Sequence, residues 1–546
     1  MPRKSPLARQ NSRSFPLRLR SSRRFRTSAT GASRSAAIKT RYSTSTMEGA
    51  LDTRISGAER ETPTTPRRII SFLIIYSFSE KDSLSGGPPP RGVPSAAACG
   101  IEIIPLVQVL GHTYHILVHP EYADCAEDPN CPQQLCPLSP AAFELSKTLI
   151  DDTLRLHPNC RHLHIGGDEC ELLGHCPKCA EYAKAHGTGK LFAQYMGRIA
   201  NYVLSKGVTP IMWHDIALNH PDSLDEFDER VLFNFWHYGT ASHGSATVHY
   251  ERLRSRISPS RIIGSPAARA EKFRGALHHS PSSLEENILE INRIIAEDGG
   301  IGTILTDWPD SGCTFYDSLF ALRVQGEAAW TGGKSLDEFR ASYAQNVFGV
   351  NAPQLIDKLD AIAGSTISAR GFQFRKSEEH NRYARAPFDF QAIADIIQHG
   401  YATTEGALDL YTQVGQLLAA RRLRSFVEKL LPQCTKNIDE MKWYLLAAEL
   451  TEFFLTIDIA LRKECFVIDA FGTPTPAQIE RFESRSYAQD ALRKWDDVIF
   501  KFRRFFQGLT AERTLDNYCK ELFPEGLKLG LEDFVANGFE HFPPIA

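Results

Sequence analysis

The chain has 546 residues, more than one compact core usually holds, so two domains are expected, and its 42% hydrophobic content is that of an ordinary globular protein. Residues 1–47 carry 12 of the 62 Lys and Arg and none of the 65 acids, so behind a formal net charge of -3 the rest of the chain sums to about -15, which argues against nucleic acid as a partner. Twelve cysteines are too sparse for a disulfide scaffold, and the most apolar run, 69–78, is about ten residues and too short to span a bilayer, so no membrane partner is expected.

Residues 1–95 read as a disordered basic segment rich in Ser, Arg, Pro and Thr, closed by the breaker run GGPPPRGVP at 86–94. Its front has the composition of an organellar transit peptide, and also that of a plain disordered tail or of an upstream segment wrongly joined to the chain. No secretory apolar core follows the start, and the thiols read as unpaired, so the cytoplasm is the expected compartment, with organelle targeting by the basic front as the alternative.

From residue 96 the pattern changes. GIEIIPLVQVLGH (100–112) reads as a buried strand and turn, 141–157 as a helix begun by Ser139-Pro140, and RHLHIGG as a strand. A helix over 190–206 precedes strands at 208–215, 231–238 and 261–266. A helix over 283–296 leads to a last strand at 300–308. Strands apolar on both faces, alternating with helices, predict a parallel sheet. Each strand ends in polar or aromatic residues, the habit of a (β/α)8 TIM barrel. A doubly wound sheet would carry a Gly-rich phosphate loop, and none is found. Six strands are countable, so the barrel reads as lacking its first two βα units, and IISFLIIYSF (69–78) can supply one strand at best. Residues 96–345 are read as the barrel domain and 346–546 as an α-helical C-terminal domain. In the latter, apolar residues recur at helical spacing over 388–419, 421–430, 437–462 and 477–506. That appendage is a lid or an oligomerisation surface, and a homodimer is the assembly it admits.

The stretch HLHIGGDECELLGHC (162–176) carries adjacent acids, Asp168 and Glu169, where a strand ends. Such neighbours leave no room for the separated acid and base of an inverting glycosidase, about 6.5–9.5 Å apart. They can divide labour instead. One, in a desolvated pocket, keeps a proton for a leaving oxygen, and the other stabilises a developing positive centre. Trp213, Trp236 and Trp308, three of only six tryptophans, fall at neighbouring strand ends and suit the apolar face of a sugar ring. The cysteines cluster as Cys125, Cys131 and Cys136, then Cys160 and Cys170, then the pair Cys176-x-x-Cys179. A zinc reading joins that pair to two of the earlier ones, but no second Cys-x-x-Cys exists, so reduced packing thiols are the expectation.

His164-Ile165-Gly166-Gly167-Asp168-Glu169 resembles the signature of glycoside hydrolase family 20, the β-N-acetylhexosaminidases, in the arrangement of its hexosaminidase D branch. Gln108 to His112 resembles that family's Gly-His turn, and Trp213, Trp236 and Trp308-Pro309-Asp310 follow its pocket elements in order. The resemblance covers about 100–329. It implies release of terminal GlcNAc or GalNAc from N-acetylhexosamine-containing glycans, with no metal and no cofactor. In this family the substrate's acetamide oxygen is the nucleophile. Glu169 would then be the general acid and base, Asp168 would hold the acetamide N–H, and His112 would orient Glu169 from behind. Asp310 would bind a sugar hydroxyl, and Tyr238 would hold the acetamide carbonyl. The family's sugar-gripping Arg on its opening strand has no match, nor does the acid that supports the His, and its strand-seven Tyr and Asp would fall near Glu271 and Phe273. A catalytically impaired carbohydrate-binding relative with an incomplete barrel is therefore the alternative.

Overall fold

The computed structural model describes residues 74–75, 102–238, 246–269, 281–308, 315–362, 404–471, 484–509 and 512–523, with short helical pieces up to 536. All of them fall in one compact unit, 42–546. Of the basic N-terminal segment, only Ile74 and Ile75 are among the described residues.

Among the described residues, nine short strands build the sheet system: β1 (Ile74–Ile75), β2 (Ile104–Pro105), β3 (His162–His164), β4 (Thr209–Trp213), β5 (Leu232–Trp236), β6 (Ile262–Ser265), β7 (Ala267–Arg269), β8 (Gly302–Thr303) and β9 (Thr306–Asp307). Strands β3, β4, β5, β6 and β8 pair in that order, all parallel. β2 joins them through a parallel bridge between Leu106 and His164, and β1 pairs parallel with β2. β7 and β9 continue β6 and β8 as a second short parallel pair. IISFLIIYSF thus contributes the one strand it could. No pairing joins β1 to β8 among the described residues.

The pleat sorts the side chains of each strand to two faces. Leu163, Met212, Phe233, Phe235 and Ile262 pack outward with the helices α1 (Pro140–Leu156) and α3 (Thr188–Ser205), which supply Ile150, Phe192, Met196 and Ile199. Pro140 opens α1 and the Ser139 side chain accepts from Ala142 N–H, which caps the helix where the sequence marks its start. On the inner face, Ile104, Ile211, Ile263 and Ile304 form one layer, drawn from β2, β4, β6 and the residue after β8. Side chains from several strands meeting in one layer are how a curled parallel sheet fills its interior.

Between α1 and α3 lies α2 (Pro177–His186). After β5 come α4 (Ala246–Arg254), α5 (Pro281–Asp298), α6 (Phe315–Thr331), α7 (Asp337–Phe348) and α8 (Leu355–Asp360). Then follow α9 (Thr404–Leu430), α10 (Ile438–Phe471), α11 (Ser484–Phe506) and α12 (Glu512–Leu522). The apolar runs at 388–419 and 421–430 are one helix in their described part, because no breaker separates Ala419 from Arg421. Residues 388–403 lie outside the described residues. One apolar cluster runs from Phe320 and Val324 of α6 through Phe348 to Leu423, Tyr444, Phe454 and Trp495. Within it, Arg323 of α6 grips Glu440 of α10 through two parallel hydrogen bonds of 2.7 Å. Tyr444 O–H also donates to that carboxylate, at 2.9 Å. No helix among the described residues is long and apolar enough to cross a membrane.

Arg323→Met leaves the Glu440 carboxylate, 2% exposed, without its cation. We expect urea unfolding to lose about 3–5 kcal/mol, with Glu440→Leu in the same chain recovering most of it. A single-variant loss under about 1 kcal/mol would mean that the pair does not hold α6 to α10.

Candidate active site

The inner residues at the C-terminal ends of the central strands are polar or aromatic rather than aliphatic. His164, Trp213, Asn234, Trp236 and Ser265 stand there, one or two per strand. His164 is fully buried, and its Nδ1 accepts the Gly166 N–H at 3.1 Å. Burial holds its pKa down at about 3, so the ring is neutral at ordinary pH. The Asn234 amide lies 3.4 Å from its other nitrogen and accepts from Ser265 Oγ at 2.6 Å.

Past β3 the backbone turns left-handed. Gly166 and Gly167 have φ of +68° and +91°, and Glu169 itself has φ of +46°. Only glycine takes such angles freely, and at Glu169 they are a local strain. The turn sends the neighbouring acids to different surroundings. The Asp168 side chain is 14% exposed and the Glu169 side chain 58%. Asp168 Oδ1 accepts from Gln108 Nε2 at 3.2 Å, and Oδ2 lies 3.2 Å from His112 Nε2. The same His nitrogen is 3.5 Å from Glu169 Oε2. The hydrogen bond to Asp168 pushes the His112 pKa up, helped by the charges of Asp168 and Glu169 and opposed by burial. His112 therefore bridges both acids and sits nearer Asp168, rather than behind Glu169 alone.

A third acid completes the group. Asp215, two residues past β4, accepts the Glu169 backbone N–H at 3.0 Å and the Trp236 Nε1–H at 3.2 Å. Burial raises its pKa to about 6, against the ordinary 3.8. Asp215 is thus a third, partly buried carboxyl that stands beside the adjacent pair.

The aromatic residues come together beside these acids. Trp213 and Trp308 lie 6.2 Å apart between ring centres, and Trp236 stacks on Tyr238 at 5.1 Å. Trp308 Nε1–H donates to the Tyr238 hydroxyl at 2.9 Å, which joins the two pairs. The Trp213 indole N–H, buried, has no partner among the described residues. Asp310, Glu271 and Phe273 lie outside the described residues.

Residues 93–254 match the glycosyl hydrolase family 20 catalytic domain. This part of the chain is similar to glycosyl hydrolase family 20. Human hexosaminidase D (Homo sapiens) is 34% identical over 126 residues, 22% of this chain and 26% of that one. Bovine hexosaminidase D (Bos taurus) is 27% identical over 226 residues, 38% of this chain and 63% of that one. The chain therefore spans about a quarter of the human relative and less than two thirds of the bovine one. A solved beta-N-acetylhexosaminidase from Bacteroides fragilis NCTC 9343 aligns at 16% identity over 46% of this chain and 56% of that one, with a TM-score of 0.34, a likeness too loose to weigh.

The family 20 segment holds His112, Asp168, Glu169, Trp213, Trp236 and Tyr238, while Trp308 reaches the same group from outside it. Sequence reading assigned no role to Asp215, Gln108 or the His164–Asn234–Ser265 chain. Asp215 had a signal, since it follows Trp213 by two at the same strand end. Gln108 had none, because its contact with Asp168 crosses 60 residues of sequence.

Two outcomes follow. A methyl group at Gly111 would lie 2.5 Å from the Asp168 carbonyl oxygen, which is backbone and cannot swing aside. Gly111→Ala should therefore cost about 1–3 kcal/mol of stability in urea unfolding. A Gly111→Ala protein with unchanged melting would sink this. For Asp215, the folded chain holds its proton to higher pH than the unfolded chain does. Its stabilising effect is therefore present at low pH and is lost as pH rises through about 6. Urea melts between about pH 4 and about pH 6 should show a downward slope that Asp215→Asn removes. An equal slope in both proteins would show that Asp215 titrates normally.

Proposed function

We propose that the protein is a glycoside hydrolase that removes terminal non-reducing GlcNAc or GalNAc by a substrate-assisted, retaining mechanism. The observation that carries this is the division of the adjacent acids: Asp168 enclosed by Gln108 and His112, and Glu169 exposed and linked through Asp215 to Trp236. The match of 93–254 to the family 20 catalytic domain and the likeness to two proteins named hexosaminidase D support the same reading.

Glu169 protonates the glycosidic oxygen as the bond to C1 breaks. The acetamide oxygen attacks C1 from within the substrate and closes an oxazolinium ring. Asp168 accepts the acetamide N–H, aligns the nucleophile and offsets the positive charge that forms. Glu169, now a carboxylate, takes a proton from the water that opens the ring. His112, cationic below its raised pKa, keeps the two carboxylates from repelling each other. Asp215 fixes the Glu169 backbone and the Trp236 ring at once. Trp213, Trp236 and Trp308 form the walls for the sugar. Tyr238 accepts from Trp308 and so keeps its own hydroxyl hydrogen for the acetamide carbonyl. Asp310 takes a sugar hydroxyl. We read residues 96–345 as a (β/α)8 barrel short of part of its opening wall, followed by a helical domain over 346–546. N-acetylhexosamine-containing glycans are the partners.

The test is release of chromophore from a chromogenic N-acetyl-β-glucosaminide by the full chain. Glu169→Gln should cut kcat by about 10²–10⁴-fold with little change in KM. Asp168→Asn should slow N-acetylated substrates far more than a substrate bearing a free 2-hydroxyl. A chain folded by circular dichroism that binds GlcNAc without turnover would overturn the enzyme reading in favour of a binding protein.

A further inference from the structure

A second cluster of reactive side chains lies just past the acid pair and has no part in the chemistry above. Cys176 is the N-terminal cap of α2, and its sulfur accepts the Cys179 backbone N–H at 3.4 Å. Cys136 reaches the same point from the far side, with its sulfur 3.8 Å from that of Cys176 and 3.6 Å from that of Cys179. These separations exclude a disulfide, whose sulfurs stand about 2.05 Å apart. They fit four ligands around one ion: a tetrahedral zinc with Zn–S of about 2.3 Å places its sulfurs about 3.8 Å apart.

The fourth corner is Glu127. Its side chain is buried at 2% exposure, and one carboxylate oxygen accepts the Cys176 N–H at 2.9 Å. The other oxygen is buried and has no hydrogen-bond partner among the described residues. A carboxylate oxygen left so in a protein interior is costly. The ligand atoms of Glu127, Cys136, Cys176 and Cys179 all lie within 4.8 Å of one another. Leu191 and the ring of Tyr182 wrap the cluster in apolar surface.

We propose that Glu127, Cys136, Cys176 and Cys179 bind one structural zinc ion. Three soft sulfur donors select zinc over magnesium or calcium, and four protein ligands leave no open position for catalysis. Binding releases the thiol protons to solvent, and the ion takes up the charge of the buried carboxylate. The ligands span two pieces of chain. Glu127 and Cys136 stand on a loop closed by the Ala126–Leu135 bridge, and the Cys-x-x-Cys pair begins α2. That loop also receives Thr113 N–H on the Gln133 carbonyl at 3.1 Å, and Leu172 N–H on Gln134 Oε1 at 2.9 Å. Zinc there fastens the segment next to His112 to the segment next to Glu169. The inference stands whether or not the chain cleaves sugars.

The experiment is elemental analysis of the full chain purified without chelator, paired with cobalt substitution. About one zinc per chain is expected, and cobalt in its place should give the sulfur-to-cobalt charge-transfer band and the intense visible bands of a tetrahedral thiolate site. Cys136→Ser and Cys179→Ser should lose the metal, whereas Cys131→Ser, outside the cluster, should keep it. The cobalt spectrum of the unaltered chain reads the site even where a cysteine variant fails to fold. No retained metal after zinc loading and dialysis overturns the proposal. So does metal that survives Cys136→Ser, or a disulfide joining Cys136 to Cys176 or Cys179 in peptide mapping.

Discussion

The left-handed turn after β3 is the constraint on which the site depends. An extended strand would point residues 168 and 169 to opposite faces. With positive φ at Gly166, Gly167 and Glu169, the chain instead curls over the end of β3, and both acids stay on the same edge. The strain at Glu169 is held by its surroundings: Asp215 takes its backbone N–H, and Gly111 lies too close to the Asp168 carbonyl for any side chain. Adjacent acids thereby become different acids, one enclosed by Gln108 and His112, the other open to a ligand.

The curled sheet supplies everything else at that edge. Strands that bury apolar residues on both faces through most of their length change character at their last inner position, where His164, Trp213, Asn234, Trp236 and Ser265 appear. The isoleucine layer beneath them makes the floor rigid and dry. That dryness keeps His164 neutral and raises Asp215. Two tryptophan contacts then tie the walls together, Trp236 through Asp215 and Trp308 through Tyr238. The tryptophans are thus fixed by the same polar groups that set the acids, so wall and chemistry are one construction.

The outer parts bear on this edge through a few polar ties set in apolar packing. Arg323 joins a sheet-side helix to the helical region by a paired, buried contact with Glu440. Glu102 does similar work at the sheet's other end, where it accepts from the Arg161 and His162 side chains and ties the approach to β2 to that of β3. Burial pushes the Glu102 pKa up, but those bonds prevail and leave it below its ordinary value.

Much of this was legible in the residues in order. The helix start at Ser139-Pro140, the strands at β4, β5 and β6, and the grouping of Asp168, Glu169 and three tryptophans all rest on local signals: caps, apolar runs and strand ends. Those signals arise within a few residues, so a linear reading reaches them. The strand at Ile74–Ile75 could only be offered as an option, because its parallel partner, Ile104, lies 30 residues on. The contacts that decide the chemistry are longer still. Gln108 meets Asp168, Asp215 meets Glu169, and Cys136 meets Cys176 and Cys179 only because a parallel sheet brings successive strand ends to one side. Residue types named the groups that could react. Which acid is enclosed, which is open and which holds its proton to higher pH were settled by the fold, since desolvation and proximity are properties of position in space and not of order along the chain.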